Sequence, residues 1–596
     1  MRLLRDACFI LSLCALAGCD HSAPAPPPTA TPAPLAAAVP TAAAAPVAET
    51  AGPFDVGDGA RKAFLIDNDE RPIINPFIED PTLSLANLPP DPILTFSLGI
   101  ADDTPGTVRF EVVLRSADGA EETIFTRDLS PPAAWTDASV ALGGRSLDGK
   151  TLHLRRSLVE GGLPRYFRSA FAIPTLRSAH PVHRPSVVLV SLDTLRADRL
   201  GVAGYSAAHT PVLDQLAASG VRYTNAYSPS LWTLPSHASL LYGRFVSNIP
   251  QSLRRNDVPI PAGVPERPIA AALTDAGYRT AAFTGGGFVS QKFLFGIGFE
   301  SYWCYPTPPA PKGACRPDRF DGPEVFKRAG DWLRQLPSQA PFFLFVHTYD
   351  QHDRCEFLST APGLAAWPPL PTDRRQALLR HYDELISSSD ERLGNLLKVL
   401  DELGRTPDTL VVVLSDHGEA FSEHGERGHG CTVKPYEEVT RVPLLLRMPG
   451  RLPAGERIDT PASLIDVAPT ILSLVGLPGQ SGLSGPSLPG LGLPDDAGAA
   501  PVFAFCDDSL TVRVGSYKLI TSRTGKFPDE LYDLAADPQE RANIAAANPE
   551  RVAALRKETD AFWSAHGAPP TTSPAEQLDK LDPATREQLR QLGYDH

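Results

Sequence analysis

The run Ser186-Val-Val-Leu-Val-Ser-Leu192 is almost continuously apolar and stops on an acid, Asp193. A strand without polar alternation has to be covered on both faces, as an interior strand of a largely parallel sheet is. Comparable runs recur at 279–284, 342–347 and 409–415, with helical patterns near 266–276, 325–336 and 373–402. Thr210-Pro211 opens a further helix with Val212, Leu213 and Leu216 on one side, and Gly220 stops it. This alternation predicts an α/β domain over 185–500: a large central sheet, helices on both faces, and functional groups beyond the carboxyl ends of the strands.

The flanks read differently. Residues 50–178 alternate polar and apolar at 93–99, 108–114 and 152–155, with turns at Ala117-Asp-Gly and Asp148-Gly, which predicts a β-sandwich accessory domain. Residues 501–566 are expected to form a C-terminal subdomain of the α/β unit. A hairpin or short sheet spans 517–534 there, followed by a helix at about 549–565. A polar tail with a short helix occupies 567–596.

Arg2 and Arg5 precede a short apolar run, and Leu-Ala-Gly-Cys follows at 16–19. A run this short predicts export rather than a membrane span. Residues 1–19 are expected to be a lipoprotein signal that leaves a lipidated Cys19, with an ordinary secretory signal as the alternative. The Pro/Ala-rich stretch 20–49 buries little and reads as a linker. The expected location is the bacterial cell envelope, on the membrane through an N-terminal lipid anchor, or outside the cell if the cysteine is not used.

A formal charge of −14 offers no basic stripe and argues against nucleic acid as a partner. An anionic substrate has to be gripped locally, by a metal and histidines, against the global field. Export permits disulfides. Cys304 and Cys315 bracket a Pro-rich loop and could close it. Cys355 follows His352 and Cys431 follows His429, so a 355–431 bridge is expected if both histidines face one pocket, leaving Cys506 unpaired.

The chemistry gathers at strand ends. Asp193 ends one strand, and Asp416-His417 ends another, Val411-Val-Val-Leu-Ser415. Carboxylates there are partly desolvated and need a cation or many donors. Two carboxylates and an imidazole suit one divalent metal ion, zinc or manganese rather than calcium, which prefers an all-oxygen shell. Thr233 opens Thr-Leu-Pro-Ser-His237 at a predicted helix start, where free N–H groups favour an anion. A dication makes such a hydroxyl a nucleophile; the bland alternative is that Thr233 is only a helix cap. His237, His352 and His429 are candidates to hold ester oxygens or protonate a leaving group, with Lys434 competing with His429. Arg196 is expected to orient Asp193, and Asp198 to stand behind it or cap a turn.

Taken together, Val187–Leu200, Thr233-Leu-Pro-Ser-His-Ala-Ser-Leu-Leu-Tyr-Gly243, Ser415-Asp-His-Gly418, Tyr436–Pro443, Tyr517–Ile520 and Glu530–Leu534 resemble the sulfatase family of the alkaline phosphatase superfamily, over about 185–566. The resemblance implies that family's fold: a large mixed sheet flanked by helices and a small C-terminal sheet. It implies metal ligands at Asp193, Asp416 and His417, the nucleophile at Thr233, and substrate contacts from His237, His352 and His429. Departures from the family pattern bear on function. Its sulfatases carry Cys or Ser at the nucleophile, followed by x-Pro-Ser-Arg, and oxidise it to formylglycine. Thr233 carries a methyl on Cβ, so the same oxidation would give a ketone, and His237 replaces the arginine. Asp-Thr at 193–194 replaces Asp-Asp, and Asp-His replaces the Asp-Asn of calcium-dependent members.

The set is more similar to threonine-using phosphoester and phosphonate enzymes of that superfamily. The expected activity is therefore hydrolysis of phosphate or phosphonate esters through a phosphothreonine. The alternatives are a sulfuric ester hydrolase, a phosphoglycol or phosphoethanolamine transferase, and a non-catalytic surface binding protein.

Overall fold

The computed structural model describes residues 50–567, except for 54–60, 75–79, 86–87, 160–168, 180–182, 246–266, 307–320, 353–371, 478–485 and five single positions. The expected signal, lipidated Cys19, linker and C-terminal tail fall outside the described residues, as do Cys315 and Cys355. Among the described residues no helix is long and apolar enough to cross a membrane.

An 11-stranded mixed sheet forms the centre. Its parallel core runs in the order Ser301–Cys304, Arg279–Thr284, Phe342–Thr348, Ser186–Leu192, Thr409–Leu414. Arg441–Arg447 joins antiparallel to Thr409–Leu414 and is followed by Val221–Tyr227. Ser186–Leu192 is buried at every position, as its unbroken apolar run requires. Its side chains alternate between two cores. Val187 and Leu189 pack on the side of helices Thr233–Tyr242, Ile269–Asp275 and Val467–Leu474. Val188, Val190 and Leu192 pack on the side of Pro211–Ala218, Gly322–Gln335 and Thr372–Glu402.

Two smaller sheets of five and four strands enclose an apolar core built from Leu94, Leu98, Phe110 and Val112 among others, the expected sandwich. One part of that segment lies elsewhere. The hairpin Arg61–Ile66/Asp69–Ile74 extends the central sheet, with Tyr302 opposite Glu70. Asp69 explains the attachment: its Oδ1 accepts from Ser301 Oγ at 2.9 Å and from the Tyr302 N–H at 3.1 Å.

The C-terminal part is a four-stranded antiparallel meander from Val502 to Asp533, wider than the expected hairpin, and helix Pro549–His566 follows it. Its first strand docks on the central unit: Phe505 N–H donates to Pro229 O at 3.1 Å. This docking corrects the cysteine expectation. Cys431 is bonded to Cys506, not to Cys355. The error came from placing cysteines by their neighbouring histidines; it is the docked strand that brings Cys506 beside the 429–433 loop. Cys304 is a buried free thiol whose Sγ lies 2.6 Å from Gln291 Oε1.

A second tie, to the segment that follows the meander, passes through His424, which has φ 51°. Its ring stacks on Tyr436 at 3.9 Å, Nδ1 lies 2.9 Å from Glu438 Oε1, and Nε2 lies 3.0 Å from Glu540 O. Burial lowers its pKa, but the hydrogen bond and charge of Glu438 outweigh burial and raise it to about 9.

Two outcomes are expected. Cys431→Ser, Cys506→Ser and the double variant should lose the same stability, roughly 2–4 kcal/mol, read as equal falls in Tm under oxidising conditions. A folded pKa above the unfolded value means that His424 stabilises fully below about pH 6.5 and loses that contribution as pH rises through about 9. Tm should therefore fall between pH 7 and 10, and less steeply in His424→Gln.

Candidate metal and ester site

Parallel pairing in register, Ser191 opposite Leu414, delivers Asp193 and Asp416 to the same edge of the sheet. Asp193, Asp416 and His417 are wholly buried, and their ligand atoms all lie within 4.8 Å of one another. Thr233 is the first residue of helix Thr233–Tyr242, one position inside the N-cap Trp232, so it is not a cap. Thr233 Oγ1 donates to Asp193 Oδ2 at 3.2 Å and lies 3.3 Å from His417 Nε2. Ser236 Oγ donates to Asp416 O at 2.7 Å and ties the helix start to the strand end.

Donor chemistry decides whether a cation fits. His417 Nδ1 lies 3.0 Å from the Gly418 carbonyl, which can only accept, so Nδ1 carries the hydrogen and Nε2 keeps its lone pair. That lone pair faces Asp416 Oδ2 at 3.4 Å. Two acceptors so placed repel unless a proton or a cation lies between them. Burial, and then the charge of Asp193, push Asp416 well above the ordinary carboxylate range. Ligand atoms around a tetrahedral ion at zinc distances stand about 3.4 Å apart, close to the 3.2–3.4 Å spacings here. The residues fit a divalent ion.

Thr194, next to Asp193, has φ 58°. A β-branched residue there is strained by about 1–3 kcal/mol. The turn aims its N–H at Asp416 Oδ1, 3.4 Å away, across the strand pair.

The structure separates the expected histidines into floor and rim. His237 lies beneath Thr233, fully buried. Its Nδ1 donates to Thr233 O at 2.9 Å and its Nε2 accepts from Ser191 Oγ at 2.9 Å. Burial, and then His347, hold its pKa well below the ordinary value. Both nitrogens are thus engaged inside the protein, one by the Thr233 carbonyl and one by Ser191. His352 and His429 lie together on the rim. Their ring centroids are 4.9 Å apart, and the His429 ring lies 4.2 Å from that of His417.

Two charged side chains sit elsewhere than expected. Arg196 does not reach Asp193; it pairs with Asp198 at 2.7 Å and Glu423 at 2.9 Å. Lys434 is turned to Glu530 at 2.7 Å and does not compete with His429. Four neighbours of the site carried no assigned role in the sequence reading. Glu419 holds His429 Nδ1 at 2.8 Å. His347 Nε2 lies 3.3 Å from Asp193 Oδ2, and burial holds its pKa down at about 3. Ser191 and Thr194 complete the floor. His347 was findable: it lies near the end of an apolar strand, as Asp193 does, but without the register nothing said that the two strands are neighbours.

A family model described as Sulfatase matches residues 185–477. The ulvan-active sulfatase of Formosa agariphila is 28% identical over 437 residues, covering 65% of this chain and 82% of that protein. Human arylsulfatase A is 26% identical over 508 residues, covering 71% of this chain and 95% of its own. The crystal structure of the phosphonate monoester hydrolase of Agrobacterium radiobacter has a similar fold, with a TM-score of 0.50 at 19% identity over 64% of this chain and 96% of that one. With the Asp193–Asp416–His417 triad beside Thr233, the chain has the sulfatase/alkaline phosphatase superfamily fold and is a sulfatase-like, metal-dependent hydrolase.

Proposed function

We propose that this hydrolase cleaves an anionic ester with Thr233 Oγ1 as the attacking atom. The observation that carries the reading is the position of that oxygen, 3.2 Å from Asp193 Oδ2 and 3.3 Å from His417 Nε2 at a helix start. Asp193, Asp416, His417 and Thr233 would hold the ion, and a bound dication supplies Lewis acidity that favours the alkoxide. The imidazole lone pair of His417 supports zinc or manganese over calcium.

The chain's own residues supply the rest. His237 holds the Thr233 carbonyl and so fixes the first helical turn beneath the nucleophile. His352 and His429 stand on the rim, where imidazolium groups steady charge on ester oxygens. Attack by Thr233 gives a threonine ester, which water then hydrolyses.

For the acid component, sequence relatives support a sulfate ester, since the proteins at 26–28% identity are named as sulfatases. This is the alternative left open by the sequence. One residue favours the phosphate or phosphonate reading. Thr233 has no aldehyde form through which a sulfate could be expelled, so its ester must be cleaved directly. A phosphothreonine meets that requirement more readily than a threonine sulfate.

Export is supported by the Cys431–Cys506 bond, which suits an oxidising compartment. Anchoring through Cys19 remains part of the proposal.

Thr233→Ala is expected to retain stoichiometric metal and to lose at least ~100-fold in kcat, while Thr233→Ser keeps measurable turnover; an undiminished Ala variant would sink the assignment. Asp416→Asn should lower metal content, and activity lost to a chelator should return with zinc or manganese more than with calcium. Turnover of an aryl sulfate, a phosphate monoester, a phosphodiester and a phosphonate monoester, side by side, identifies the acid. Sulfate turnover that exceeds the other three ends the phosphothreonine reading.

A further inference from the structure

Ala420 pairs with Gly428 and Phe421 with Arg427 in a two-stranded antiparallel hairpin. One step outward in the same register stand Glu419 and His429. A side-chain contact closes that step: His429 Nδ1 lies 2.8 Å from Glu419 Oε2, and the two side chains are only 1% and 5% exposed.

The frame around this pair is fixed at three points. Arg196 Nη1 donates to the Glu419 carbonyl at 3.0 Å and to Glu423 Oε1 at 2.9 Å. Gly430 N–H donates to Leu231 O at 2.7 Å. Cys431, two residues past His429, is bonded to Cys506. Each anchor comes from a different part of the chain, so the pair sits on a braced hairpin rather than a free loop.

A carboxylate accepts and does not donate, so His429 Nδ1 carries the hydrogen. The other nitrogen, Nε2, lies on the opposite edge of the ring. A free imidazole exchanges its two tautomers and turns about its side-chain bonds; a buried carboxylate at 2.8 Å removes both freedoms. The ring so held lies beside those of His417 and His352.

We propose that Glu419 is a positioning residue: it sets the tautomer and orientation of His429, so that His429 Nε2 passes a proton to the leaving oxygen. The proposal rests on the reading of Thr233 as the attacking atom. In the first step the Thr233 hydroxyl proton goes to solvent and Oγ1 bonds to the central atom of the ester. The bond to the leaving oxygen breaks, and the proton on Nε2 moves to that oxygen to release an alcohol. In the second step water bonds to the same central atom and returns a proton to Nε2. The bond to Oγ1 then breaks, and Thr233 takes a proton back from solvent. Glu419 stays an acceptor throughout and balances the imidazolium.

The test uses the metal-loaded full chain and two esters of whichever acid the wild type turns over. One has a p-nitrophenyl leaving group, which departs without a proton; the other has a simple alkyl group, which needs one. Glu419→Gln is expected to keep its metal and its Tm, and to lose ~10–100-fold in kcat on the alkyl ester with little change in KM. The p-nitrophenyl ester should lose little. Equal losses on both esters, or no loss on the alkyl ester, would overturn the proposal. Glu419→Asp, which keeps the charge one methylene shorter, should show the same selectivity to a smaller degree and covers the case of a misfolded Gln variant. The double variant Glu419→Gln/His429→Asn should be no slower than His429→Asn alone, and additive losses count against the assignment. Thr233→Ala is read on both esters as a separate control. Its failure to slow either one indicts the nucleophile, whereas a flat response to the leaving group indicts Glu419.

Discussion

Two carboxylates that cannot reach water govern this molecule. Asp193 and Asp416 end adjacent parallel strands and are wholly buried. Desolvation and mutual repulsion make such a pair unfavourable until a cation or a proton enters. The surroundings are arranged around that need. A neutral imidazole turns its lone pair toward the acids because a carbonyl takes its other hydrogen. A backbone N–H reaches Asp416 only because Thr194 accepts a left-handed conformation. A helix starts at the residue whose hydroxyl meets Asp193. Sites that store strain and buried like charge in this way exchange stability for function.

Above this floor the protein builds a rim by different means. Strand ends position the floor, and they are held by sheets buried on both faces. The rim residue His429 follows a two-residue strand, Arg427–Gly428, too short to be rigid alone. Rigidity comes from outside it: the disulfide to the meander, the Leu231 carbonyl, and the Arg196 guanidinium. The C-terminal meander therefore serves the site without supplying any of the groups proposed to act there. His424 and Lys518 repeat the pattern. Each is buried or half-buried at the same junction and held by carboxylates, Glu438 for the one and Glu437 and Glu540 for the other.

Much of this was legible from residue order. Apolar runs without alternation announced interior strands, and the acids that stop them announced the edge where ligands gather. Those signals are local: a strand needs both faces covered, and a desolvated carboxylate needs a partner wherever the chain goes. What failed were inferences of proximity between remote segments. Arg196 was assigned to the acid three residues away, but it turns to Glu423 and the hairpin. Lys434 was placed beside His429, but it finds Glu530 nearly a hundred residues on. Cysteines near two rim histidines were expected to meet, whereas a docking strand decides which cysteine arrives.

Residue order thus dictates the elements, their ends and the chemical types at those ends, because periodicity, capping and desolvation act over a few residues. Pairing among those ends is a property of the folded chain. Whether His237 meets the Thr233 carbonyl, and whether Glu419 meets His429, depends on strand register and on which edge of an imidazole is turned inward. Contacts between segments distant along the chain settle those choices, and no local pattern carries them.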